Sequence, residues 1–206
     1  MKKKITMVVS LLLVMALSIG GTLAWLTDTE TVTNTFTLGN VDITLTETWN
    51  TDTDGDKVND VWSAKFVPGK ELAKDPKVSV VAGSEACYVY VKITETIGFD
   101  AGKTGNFADY FDYDIAADWT KLTDADGEAI AGVYYMTVDA ATATAGKSWY
   151  VLEGSQTNAN GCVTVPDSVT KTMIDDLSDT NPTLTITAYA IQSEGTGSAY
   201  EAWLKF

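Results

Sequence analysis

The chain has 206 residues, with 14 lysines, no arginine and no histidine against 28 acidic side chains, for a formal net charge of -14 at pH 7. Without histidine the usual general base, the Ser-His and Cys-His dyads and imidazole metal ligands are missing, and without arginine so are bidentate clamps for phosphate. A chain this acidic repels phosphate backbones and anionic lipid, which argues against nucleic-acid and polybasic membrane binding, and its 45% hydrophobic share is too high for a disordered tail.

Met1-Lys2-Lys3-Lys4 is followed by an apolar run from Ile5 to Ile19 and then by Gly20-Gly21-Thr22-Leu23-Ala24. A charged start, about 15 apolar residues and a small-residue exit are the layout of a secretory signal peptide, short of the roughly 20 residues that cross a bilayer. Residues 1–24 are therefore read as a leader cleaved between Ala24 and Trp25. About 182 residues remain, the size of one domain. No cysteine marks that junction as a lipoprotein site, and no second long apolar segment follows. The product is expected to be secreted and to make no membrane contact after cleavage.

Residues 25–38 form an arm. Its odd positions Thr27, Thr29, Thr31, Thr33, Thr35 and Thr37 are all threonine, and its even positions include Leu26, Val32, Phe36 and Leu38. Period two puts a threonine ladder on one strand face and a partly apolar row on the other. Asp28, Glu30 and Asn34 interrupt that apolar row. Gly39-Asn40 punctuates, and Val41, Ile43 and Leu45 then alternate with Asp42, Thr44 and Thr46. A two-residue turn would pair Leu38 with Val41 and Phe36 with Ile43, so a hairpin within one subunit is self-consistent. Whether the arm acts in its own subunit or in another stays open.

Further strands are predicted at 77–81, 87–93, 133–138, 147–152 and 183–192. Between them stand the turn signals Pro68-Gly69, Ala82-Gly83-Ser84, Asp126-Gly127, Asn160-Gly161 and Asn181-Pro182. Many strands with few helical periods predict an all-β chain, an antiparallel sandwich or barrel, over residues 39–206. Two short helices are expected. Asp167 is placed as the cap of one carrying Val169, Met173 and Leu177. Ser198-Ala199-Tyr200-Glu201 matches a capping box for the other, with Ala199 and Trp203 on one side and a terminal strand as the alternative.

In the run Asp52-Thr53-Asp54-Gly55-Asp56-Lys57-Val58-Asn59-Asp60, four carboxylates at 52, 54, 56 and 60 match the spacing that wraps a calcium ion with oxygen ligands. Lys57 stands where a calcium loop wants glycine, and no closing glutamate follows. A solvated turn and a weak calcium site both fit, and no other cofactor is indicated. Cys87 and Cys162 are an even pair in an exported chain, which allows a disulfide; two free thiols fit as well. Trp49, Trp62, Trp119, Trp149 and Trp203 invite a sugar-binding platform, against the commoner reading of core aromatics. A carboxylate pair running glycosidase chemistry is set against acidic residues that fall mostly in turns.

The stretch from Gly20 to Glu30, with its glycine pair, small residues, aromatic and Thr-Asp, resembles leaders handled by the SipW-type signal peptidase of Gram-positive bacteria. Residues 32–41 extend the likeness to the start of mature TasA/camelysin-like proteins. Pro68-Gly69, Lys74-Asp75-Pro76, residues 87–92 and residues 188–192 echo the same family. The resemblance implies a jelly-roll-like β-sandwich that assembles into biofilm matrix fibres. The arm, through Thr27, Thr29, Thr31, Val32, Thr33, Thr35, Phe36 and Leu38, would leave its subunit and complete the sheet of the next. It implies a head-to-tail homopolymer, that signal peptidase and a minor anchor subunit as partners. A monomeric surface or carbohydrate-binding module is the alternative. Some relatives carry a metallopeptidase label, which the lack of histidine speaks against here; no catalytic residues are assigned.

Overall fold

Cys87-Tyr88-Val89-Tyr90-Val91-Lys92-Ile93, the clearest alternation in the sequence, lies in an interior strand of the largest sheet. The computed structural model describes residues 40–48, 67–178 and 182–206, all within the unit Gly39–Phe206. The strands in chain order are β1 (Ile43–Thr46), β2 (Glu71–Ala73), β3 (Lys77–Val80), β4 (Cys87–Thr96), β5 (Thr120–Thr123), β6 (Ala129–Val138), β7 (Lys147–Tyr150), β8 (Cys162–Thr164) and β9 (Thr183–Gln192). Among the described residues three short α-helices accompany them, α1 (Ala140–Ala145), α2 (Lys171–Asp175) and α3 (Ala199–Trp203), with one 3-10 turn at Phe107–Asp109. The fold is all-β, as the alternation predicts. Every ladder is antiparallel, in the orders β1-β3-β7, β2-β8 and β5-β6-β4-β9.

Period two divides β4 between two cores. Cys87, Val89, Val91 and Ile93 point inward and meet Met136 and Val138 of β6, Val78 and Val80 of β3, Trp149 of β7 and Val163 of β8 in one buried cluster. Side chains from all three sheets thus share a core, each buried valine contributing about 1.5–3 kcal/mol as an upper estimate. The opposite row of β4, Tyr88 and Tyr90, lies with Tyr135 of β6, Tyr189 of β9 and Leu122 of β5 under α3. In register, Tyr90 faces Tyr135 on one side and Tyr189 on the other. A third cluster gathers Tyr110, Val165 and Val169 with Met173 and Leu177.

The differences from the expected elements have local causes. The strand expected over 147–152 ends at Tyr150: the Val151 N–H still donates to the Pro76 carbonyl at 2.8 Å, but Pro76, next in register, has no N–H to give back. The cap of α2 is Thr170, not Asp167: the Thr170 hydroxyl accepts from the Met173 N–H at 3.3 Å. Val169 precedes that helix and Leu177 follows it, yet both bury against Met173's cluster. The box at the C-terminus holds, with Ser198 and Glu201 each bonding the other's backbone. Leu38 and Phe36 lie outside the described residues; on its described side Ile43 pairs with Val80.

Candidate functional site

β1 is the described strand nearest the arm, and both of its ends are fastened. Upstream, the Glu85 N–H donates to the Asn40 carbonyl and the Val81 N–H to the Asp42 carbonyl, each at 2.9 Å. The buried Ser84 hydroxyl accepts from the Asp42 N–H at 3.1 Å. Downstream, the Lys74 ammonium donates to both oxygens of Glu47, at 3.1 and 3.2 Å, with both side chains 8% exposed. Asp75, also buried, accepts from the Thr48 N–H at 3.0 Å and from the Thr48 hydroxyl. These two carboxylates depart from the expectation of solvated acids. The polar corner leaves both paired, as burial demands.

Between the clasps β1 exposes one face and half-buries the other. Ile43 and Leu45 pack on the main core with Val41, and Leu184, Ile186 and Ala188 of β9 pack on it too. β1 and β9 are each outermost in their sheet and come together along one side of that core. Among the described residues, β1 has a hydrogen-bonded partner strand on one edge alone, β3. An edge of this kind offers unpaired N–H and C=O groups to an added strand.

The remaining sequence-based candidates divide by position. The cleavage pair Ala24 and Trp25, the arm from Thr27 to Leu38, and the acidic run Asp52, Asp54, Asp56 and Asp60 lie outside the described residues, as do Trp49 and Trp62. Cys87 and Cys162 are both free thiols. Cys87 has no exposed surface, and burial pushes its thiol up to about 11. Burial is also the main cause raising Cys162, whose Sγ lies 3.8 Å from the Glu153 carbonyl oxygen. Neither has the electropositive surroundings that make a reactive thiolate. Trp119 and Trp149 are core residues, 6% and 8% exposed, and the Trp119 Nε1–H donates to the Tyr150 carbonyl at 2.8 Å. Trp203 packs against Tyr90 and Tyr189, so these three form no platform. Sequence reasoning missed the Glu47–Lys74 and Thr48–Asp75 clasps; the echo at Lys74-Asp75-Pro76 was the available signal.

Residues 1–84 match the family model described as camelysin metallo-endopeptidase. No curated protein and no solved structure matches the chain. A metallo-endopeptidase implies a metal, and the donor set does not fit one where it is described. The chain has no histidine, and among the described residues no three acidic or thiol side chains gather in a group able to hold an ion. Among those residues no helix is long and apolar enough to cross a membrane.

Proposed function

We propose, from its place in the TasA/camelysin-like family, that this chain is exported and serves as a structural subunit of an extracellular fibre. The leader is removed after Ala24 by a SipW-type peptidase, and cleavage frees the arm at residues 25–38. The arm then adds to an open sheet edge of the next subunit. Backbone hydrogen bonds provide affinity, and the alternation of threonine with Val32, Phe36 and Leu38 provides register. The observation that carries this reading is β1 itself: an edge strand with an apolar inner row, clasped at both ends, immediately after the arm. A contact between an arm and a different surface does not close on itself, so it propagates as a filament. The β-layers sharing one core are read as a jelly-roll-like sandwich, and an anchor subunit would start the polymer.

Electron microscopy of residues 25–206, concentrated with and without calcium, tests this. Filaments that vanish when residues 25–38 are deleted are the expected result. Persistent monomers in every condition would move the reading to a surface binding module. The family's description motivates a second reading, a secreted peptidase. Casein digestion that a chelator abolishes would establish it; no digestion would leave the structural reading in place.

A further inference from the structure

The outward row of the largest sheet changes character halfway along. On β4 it runs Tyr88, Tyr90, Lys92, Thr94, Thr96; on β9 it runs Ile191, Tyr189, Thr187, Thr185, Thr183. The ring-bearing half lies under α3, whereas Lys92 and the five threonines are exposed. Register sets Lys92 opposite Thr187, Thr94 opposite Thr185 and Thr96 opposite Thr183. Three cross-strand rows therefore stand about 6.6 Å apart along the strands and about 4.8 Å apart between them. Phe206 borders this field: its ring sits 5.8 Å from Tyr90 and 5.2 Å from Tyr189, and it is 56% exposed.

Charge identifies the occupant. The chain carries 28 carboxylates against 14 lysines, so two copies repel over most of their surface. The outward row of β4 and β9 has no carboxylate over its whole length, and its single charge is the Lys92 ammonium. Here a second acidic copy meets hydroxyls, methyls and one cation. Threonine, branched at Cβ, has little rotamer freedom to lose on contact. The field is small, so a single contact is weak. Repeated along a polymer it becomes strong, because each contact after the first is intramolecular.

We propose that this threonine face, with Phe206 at its border, is a lateral contact through which filaments of this chain bundle side by side. The proposal rests on the fibre reading. It is distinct from the arm-to-edge contact that lengthens a filament, since it uses a sheet face and not a strand edge.

The test compares mature wild type with Thr185→Glu and with Thr96→Glu, each of which adds a carboxylate at an exposed position. Melting temperature is the control for folding, and electron microscopy and light scattering are the readouts. The expected result is bundled wild-type filaments and single filaments of unchanged length for both variants. Variants that bundle like wild type, or wild-type filaments that never pair, overturn the proposal while leaving the fibre reading standing. Folded variants that no longer polymerise would move the face to the lengthening contact, and so overturn it too. Single wild-type filaments that co-sediment with cellulose, and lose this in Thr185→Glu, would assign the face to a neutral glycan instead. No filaments from wild type at all defeats the fibre reading, and the proposal with it.

Discussion

The Tyr90 hydroxyl donates a 2.7 Å hydrogen bond to the carbonyl oxygen of Ala199, joining an interior strand to the first residue of α3. Tyr90 is fully buried, its ring 5.3 Å from that of Trp203, and the hydroxyl answers a carbonyl 109 residues away. Tyr90 thus acts on the outer core through both ring and hydroxyl, beside the Tyr88 hydroxyl, which donates to the Gly197 carbonyl at 3.0 Å. Tyr90→Phe keeps the ring and removes the hydroxyl's hydrogen bond, which should cost about 1–2 kcal/mol. Tyr90→Ala should cost about 3–5 kcal/mol through the cavity. Urea unfolding of the two variants checks the order; equal costs would mean that the ring contributes nothing beyond the hydrogen bond.

The clasp at the end of β1 makes a different kind of prediction. Glu47 and Lys74 are paired at 3.1 Å with little solvent about either. Lys74→Ala strands a buried carboxylate and should cost about 3–5 kcal/mol, whereas Glu47→Leu with Lys74→Met removes both charges and should cost far less. Chemical denaturation of both variants measures this. A double variant as unstable as Lys74→Ala would show that packing, and not the unpaired charge, sets the loss.

The strands read at 77–81, 87–93 and 183–192, observed at 77–80, 87–96 and 183–192, were legible because alternate side chains of each enter the main core, which writes period two into the sequence. β2 and β8 were not, since three residues are too few to establish a period, and β5 has Leu122 as its one apolar residue. α1 was missed because Ala140-Ala141-Thr142-Ala143-Thr144-Ala145 has no amphipathic stripe, and its one signal is Asp139, whose carboxylate accepts from the Thr142 N–H at 2.8 Å. Of the candidate site, β1 and its inner row were readable from Val41, Ile43 and Leu45. The clasp was not, since lysine and glutamate in a sequence look like surface. Their pairing depends on partners 27 residues apart.

Gly132 lies inside β6 with φ at +67°, and a Cβ there would come within 2.3 Å of the Ile93 carbonyl oxygen. The clash is with backbone, which cannot rotate away. Gly132→Ala should therefore lose about 2–3 kcal/mol or more, combining left-handed strain with displacement of β4. Gly127 has a similar φ of +86° but open space around it, so Gly127→Ala should lose only the conformational part, about 1 kcal/mol. Thermal unfolding of the pair separates steric from conformational cost. Equal losses would mean that the sheet gives way at Ile93.

The cap of α3 carries a pH dependence. The Ser198 N–H donates to Glu201 Oε2 at 2.7 Å, and the Ser198 hydroxyl accepts from the Glu201 N–H at 3.2 Å. The backbone hydrogen bond from Ser198, then the side-chain one, holds the Glu201 carboxyl below its ordinary 4.5. A carboxyl lowered by folding binds its proton more readily in the unfolded chain. Its stabilisation is therefore complete above the unfolded value and is lost as pH falls through the lower folded one. Wild type should be more stable than Glu201→Gln at neutral pH by a margin that stays flat down to about pH 5 and shrinks below it. Melting temperatures of both proteins between pH 7 and pH 3 measure that margin. A margin unchanged at the acid end would mean that Glu201 acts through its shape and not its charge, since glutamine at the same position also accepts from the Ser198 N–H.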